Sequence, residues 1–240
     1  GKPAPAKVTI HKLATGVAGL DDIVGGGIPE FSMNLLGGTP GCGKTTMVHQ
    51  FAFANATPER PALYFTVLGE PVIKMLRYQQ QFSFYDESKV GSAFRFINLT
   101  DIVLERDLNA VLAEIIEQVR AANAGVVVVD SFRTLARKAI SDAGELEVQS
   151  FVHRLAQFLT SWEATTFLVG EYAQDEIRDN PLFTMVDAIF NDVAHRRATI
   201  EQARTRIREV VNRPPLWSPA MVWASTTVAS GAAAVFFRGS

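Results

Sequence analysis

The chain has 240 residues, 48% of them apolar, which is enough to bury a sizeable core in one large or two small domains and excludes disorder for most of its length. Lys and Arg total 23 against 25 Asp and Glu, a net charge of -2, so no overall positive field draws the protein to nucleic acid or to an anionic membrane. A lone cysteine, Cys42, excludes an internal disulfide and a cysteine-based metal site; with no basic-then-apolar leader ahead of it, the expected setting is reducing and cytoplasmic.

In chain order, residues 33–37 (MNLLG) read as a short apolar strand ending in glycines, and residues 44–55 follow with the helical spacing of Met47, Val48, Phe51 and Phe53. Residues 61–67 (PALYFTV) form the second predicted strand, 72–82 a helix, and 94–99 (FRFINL) the third strand. Residues 108–122 carry Val111, Leu112, Ile115, Ile116 and Val119, the stripe of an amphipathic helix. The β-branched run 125–130 (GVVVVD) is that of a parallel strand buried on both faces; 146–162 is helical and 165–170 (TTFLVG) is a fifth strand. This alternation predicts right-handed β-α-β crossovers and an α/β fold of three layers, a mostly parallel doubly wound sheet between helices. The phenylalanines at 51, 53, 65, 82, 84, 94, 96 and 132 are read as core.

No repeat and no Pro-, Gly- or Ser-rich linker splits the first 190 residues, so 1–190 is read as one domain and 191–240 as a helical and small-residue apolar segment of the same domain. Residues 216–237 carry no charge and are long enough to cross a bilayer, but their middle is small and polar and Pro215 and Pro219 interrupt the start. Buried strands or an irregular tail are expected there, and no membrane association.

The strongest chemical signal is Gly38-Thr39-Pro40-Gly41-Cys42-Gly43-Lys44-Thr45-Thr46, which meets every fixed position of the phosphate-loop pattern G-x-x-x-x-G-K-S/T between a strand and a helix. Glycines allow successive backbone amides to turn inward around a β-phosphate, Lys44 reaches the β and γ oxygens, and Thr45 is placed to ligate Mg²⁺. Asp130, at the carboxyl end of the VVVV strand, is the candidate for the magnesium shell, with a helix cap as its plainer alternative. Glu70, just after the second strand, is the candidate base for the attacking water; Glu171, closing the fifth strand, is a second candidate for sensing the γ-phosphate or polarising water. Cys42 reads as a small residue at a variable loop position, and His49, His153 and His195 have no ligand-like spacing.

These residues resemble the RecA-like ATPases and, within them, the KaiC-like proteins related to a circadian clock ATPase. The segment Thr15-Gly16-Val17-Ala18-Gly19-Leu20-Asp21 followed by Gly25-Gly26-Gly27-Ile28-Pro29 is similar to that family's T-G-x-x-G-L-D and G-G-G-I-P elements. GGTPGCGKTT, LYFTVLGEP, VVVVDSFRTLAR and VGEYAQDEIRDNPLFTMVDAIF follow in the family's order, over roughly residues 8–190. The resemblance implies a RecA-like domain that binds ATP with Mg²⁺ between subunits of a homo-oligomeric ring, a hexamer being the size to test, with Glu70 as the catalytic glutamate. It also implies an unidentified signalling partner and a nucleotide-driven switch, with a Ser/Thr autokinase as the variant in which Thr184 is the first acceptor to examine.

There are two departures from the family pattern. Gly69 precedes Glu70 where paired glutamates are common, and the expected K-x-R-G-like element is replaced by an Arg-rich stretch holding Arg196, Arg197, Arg204, Arg206 and Arg208. Arg197 or a neighbour is the candidate for acting on the next subunit's nucleotide, against the plainer reading of a solvated helix. The rival function is a recombinase-like DNA-binding ATPase, for which Arg133, Arg137 and Lys138 speak, while Asp175, Glu176 and Asp179 against Arg178 speak for nucleic acid being no partner. A third reading is a nucleotide-binding scaffold that does not turn over.

Overall fold

The computed structural model describes residues 10–67, 69, 71–172, 176, 186–192 and 233–237. A short hairpin of β1 (Lys12–Leu13) and β2 (Ile28–Pro29) brackets α1 (Leu20–Ile23). The main sheet holds β3 (Met33–Gly37), β4 (Ala62–Thr66), β5 (Phe94–Asn98), β6 (Val126–Asp130), β7 (Thr165–Val169), β8 (Ala188–Asp192) and β9 (Ala233–Phe237). Its order is β5-β4-β6-β7-β3-β8-β9, parallel throughout except for the antiparallel pair β8 and β9.

The strands alternate their side chains between two cores, as the pleat requires. Leu36, Tyr64, Val126, Val128 and Phe167 face α2 (Lys44–Asn55), which packs Val48, Phe51 and Ala52 on them, with Met75 of α3 (Val72–Gln79) in the same cluster. Leu35, Leu63, Phe65, Val127, Val129 and Leu168 face the other layer, built from α4 (Thr100–Glu105), α5 (Leu108–Ala122), α6 (Phe132–Ala143) and α7 (Glu145–Ser161). The three-layer α/β/α architecture expected from the alternation is therefore the architecture observed.

Local chemistry sets the element ends. Asp107 caps α5 by accepting from the Ala110 amide at 2.9 Å, and Asn123 stops it in the left-handed conformation at φ 52°. The T-G-x-x-G-L-D segment is a brace: the Thr15 amide donates to Asp21 Oδ1 at 2.8 Å, and Gln50 and Asn55 of α2 donate to the carbonyls of Gly16 (2.5 Å) and Ala14 (2.7 Å). It thereby fixes the helix that carries the phosphate loop.

Three features depart from the sequence reading. Helix α6 (Phe132–Ala143) stands where the sequence reading named no element, α3 ends at Gln79, and Phe82 is 44% exposed, stacked on Phe84 at 5.4 Å rather than buried. Within the uncharged segment, β9 pairs antiparallel with β8; the rest of 216–232 lies outside the described residues. Among the described residues no helix is long and apolar enough to cross a membrane.

Candidate functional site

The strand order fixes where a ligand goes. β3 and β7 are neighbours, but the chain leaves β3 for β4, three places to one side, and the next strand among the described residues after β7 is β8, on the other side of β3. Open α/β sheets bind ligands at such a reversal, outside the carboxyl ends of the strands. At that rim lie the loop 38–43 after β3, Asp130 closing β6, and Gly170 and Glu171 after β7.

The loop adopts the cradle its glycines allow. Gly41 (φ 76°) and Gly43 (φ 94°) sit in the left-handed region that residues with a Cβ rarely adopt, and Gly43 opens α2 with no side chain capping it. The first-turn amides of that helix are thus left without a side-chain cap, the arrangement by which a helix start can receive an anion. Lys44 Nζ donates to the carbonyls of Gly38 (3.1 Å) and Thr39 (2.8 Å), within the loop itself. Its charge is held where a polyphosphate would displace those carbonyls.

Thr45 Oγ1 donates to Asp130 Oδ2 at 3.1 Å, joining the start of α2 to the end of β6 across the intervening strand β7. The same oxygen accepts from Tyr64 Oη at 2.5 Å. Burial pushes the Asp130 carboxyl up; the Tyr64 and Thr45 hydrogen bonds and the Lys44 charge oppose that, and Glu171 adds to it. Burial, then the Asp130 charge, hold the Tyr64 phenol well above its ordinary value, so it is a donor at any working pH. Ser131, the N-cap of α6, accepts from the Thr134 amide at 3.3 Å; the cap role falls to the serine, and Asp130 faces the site.

A cleft of about 590 Å³ opens over this group, lined by Gly41, Gly43, Lys44, Thr45, Thr46, Asp130, Ser131, Arg133, Thr134, Arg137, Gly170 and Glu171. Glu171 stands on its rim, exposed, across from the phosphate loop. Arg133 makes a two-toothed ion pair with Glu176 (2.9 and 2.7 Å), donates to the Glu171 carbonyl, and lies 4.9 Å over the Tyr172 ring. Gly170 permits this closeness: a Cβ there would stand 2.4 Å from Tyr172 Cε2 and 3.1 Å from Arg133 Cβ.

The structure thus brings Lys44, Thr45, Asp130 and Glu171 together. Glu70, Thr184 and Arg196, Arg197, Arg204, Arg206 and Arg208 lie outside the described residues. Arg133, Arg137 and Lys138, the residues that speak for the rival DNA-binding reading, lie on α6; Arg133 and Arg137 line the cleft, and Arg133 is taken up by Glu176. Tyr64 was missed, because nothing in an apolar strand marks one tyrosine as reaching a carboxylate two residues further on in the neighbouring strand. His49 is fully buried among Tyr64, Phe94 and Phe96, with ring centroids at 4.6, 5.4 and 5.9 Å.

The fold and the cleft define a phosphate-loop nucleotide-binding protein of RecA-like architecture. Residues 13–212 match the family described as "ATPase: KaiC", and the chain belongs to that KaiC-like ATPase family. It is 28% identical over 174 residues to the DNA repair protein RadA of Campylobacter jejuni (71% of this chain, 35% of that one) and 29% identical over 181 residues to a UPF0273 protein of Thermotoga maritima (70% and 72%). The chain therefore spans little more than a third of that RadA protein. A solved KaiC-like protein of Pyrococcus horikoshii shares the fold, with a TM-score of 0.61 at 23% identity over 76% of this chain and 81% of that one.

Proposed function

We propose that the protein is a Mg²⁺-dependent ATPase that works as a nucleotide-driven switch in a homo-oligomer in the cytoplasm. The observation that carries this reading is the 3.1 Å bond between Thr45 Oγ1 and Asp130 Oδ2 in the cleft that also holds Lys44. A hydroxyl and a carboxylate are hard oxygen donors, the set suited to Mg²⁺, which takes few protein ligands and completes its shell with phosphate oxygens and water. Bound there, the cation neutralises charge on the β and γ oxygens.

The remaining work falls to the chain. Lys44 exchanges the Gly38 and Thr39 carbonyls for phosphate oxygens, and the loop amides orient the β-phosphate. Glu70 takes the proton of the attacking water, and Glu171, on the cleft rim, senses the γ-phosphate. An arginine of the 196–208 stretch supplies a further cation in trans.

Phosphate release with Glu70→Gln tests the chemistry. Turnover falls by about 10²- to 10⁴-fold while ATP binding persists; unchanged turnover transfers the base role to Glu171. Native mass measurement with and without ATP and Mg²⁺ reads the assembly, and mixing a Lys44→Ala subunit with an arginine variant reads the trans contact, since mixed rings regain sites. Intact mass after incubation with ATP tests the autokinase, with Thr184 as the site to map.

A second reading, nucleic-acid binding, is favoured by one observation: the RadA relatives are named DNA repair proteins. They remove the ground for setting nucleic acid aside on charge alone. A salt titration of single-stranded DNA binding decides it, because phosphate contacts lose affinity steeply as salt rises.

A further inference from the structure

Asp130 is held by a side chain that lies outside the phosphate loop. Tyr64 lies in mid-β4, in register with Val128 of β6, so Asp130 is its diagonal neighbour on the same face of the sheet. Such diagonal positions are about 7–8 Å apart, within reach only of long side chains, and Tyr64 Oη covers the span to meet Asp130 Oδ2 at 2.5 Å. The tyrosine is fully buried, with His49 at 4.6 Å and Phe96 at 5.4 Å, so close packing fixes its ring.

The donors on Asp130 are divided in a useful way. Oδ2 takes both the Tyr64 and the Thr45 protons, and among the described residues Oδ1 has no hydrogen bond. A hydroxyl has one proton, so Thr45 Oγ1, having spent it on Oδ2, offers only lone pairs to a cation.

We propose that Tyr64 is a positioning residue for the magnesium shell. Its hydroxyl pins Oδ2 and thereby presents Oδ1 to the cation's water, acting through Asp130 and touching neither nucleotide nor metal. The inference rests on the ATPase reading above and extends it to a residue of the core.

The test uses Tyr64→Phe, which removes one oxygen and keeps the ring. Binding of a fluorescent, non-hydrolysable ATP analogue is titrated with Mg²⁺ for the wild type, Tyr64→Phe, Asp130→Asn and the double variant, and Mn²⁺ occupancy is read separately by electron paramagnetic resonance. For Tyr64→Phe, analogue affinity in EDTA stays within about two-fold of wild type and the Mg²⁺ midpoint rises by about ten-fold, the lower end of the worth of a hydrogen bond to a charged group. In the Asp130→Asn background the same change leaves the midpoint unmoved, as expected if the hydroxyl acts only through the carboxylate.

An unmoved Mg²⁺ midpoint in Tyr64→Phe, or an equal loss in both backgrounds, overturns the inference and leaves the ATPase reading standing. A wild type whose analogue binding ignores Mg²⁺ overturns that reading and the inference with it. If Tyr64→Phe does not fold, ¹³Cζ-tyrosine NMR of the unmutated chain decides: the Tyr64 signal moves with analogue plus Mg²⁺ and stays with analogue in EDTA, and equal movement in both refutes the proposal.

Discussion

His49 makes stability depend on acid in a way that can be calculated. It is fully buried beside Tyr64, Phe94 and Phe96, and burial depresses its pKa from 6.5 to about 3, with the neighbouring Gln79 side chain pulling the other way. The folded chain therefore keeps His49 neutral while the unfolded chain protonates it near 6.5. Stability from this group is present above about 6.5 and is lost as pH falls toward 3. At 1.36 kcal/mol per unit, the cost between pH 7 and pH 5 is about 2 kcal/mol. The assay is urea unfolding at both pH values for wild type and for His49→Phe, which continues the aromatic cluster. The wild type loses about 2 kcal/mol more than the variant between them, and equal losses would refute a buried, neutral His49.

Other residues give sharper or simpler outcomes. Lys44→Ala lowers ATP affinity by roughly 10²-fold or more, since charge-assisted bonds are worth about 1.5–3 kcal/mol each; unchanged affinity by calorimetry removes the phosphate-loop assignment. Asp130 has its folded pKa raised above 3.8, so its contribution is present below that value and is lost as pH rises through the folded pKa. Asp130→Asn accordingly raises the melting temperature of the nucleotide-free protein at pH 7, and a lower one contradicts the burial argument. Gly170→Ala drives a Cβ into the Tyr172 ring and costs about 1–3 kcal/mol, a loss that Tyr172→Ala in the same chain should relieve in thermal melts. Arg133→Lys gives up the fork to Glu176, a half-exposed pair worth about 1 kcal/mol or less, seen as a small fall in urea midpoint.

The layers and the phosphate loop are legible along the chain. Strand and helix periods, the β-branched run ending in Asp130 and the spacing of Gly38, Gly43, Lys44 and Thr45 depend on near neighbours along the chain, and local spacing is what a sequence displays directly. The order of the strands was decided only in three dimensions, and with it the insertion of β7 between β3 and β6, which sets Glu171 on the rim between the loop and Asp130. The partners of the key side chains were also decided there. Arg133 meets Glu176 across 43 positions, Thr45 meets Asp130 across 85 and Tyr64 meets Asp130 across 66, and no local pattern records such distant pairs. Tyr64 looked like one more apolar strand residue because its hydroxyl acquires a purpose only when β4 pairs with β6 in the register that sets Asp130 diagonally opposite. Composition and period act within one element, whereas register and strand order follow from packing all the elements on one sheet.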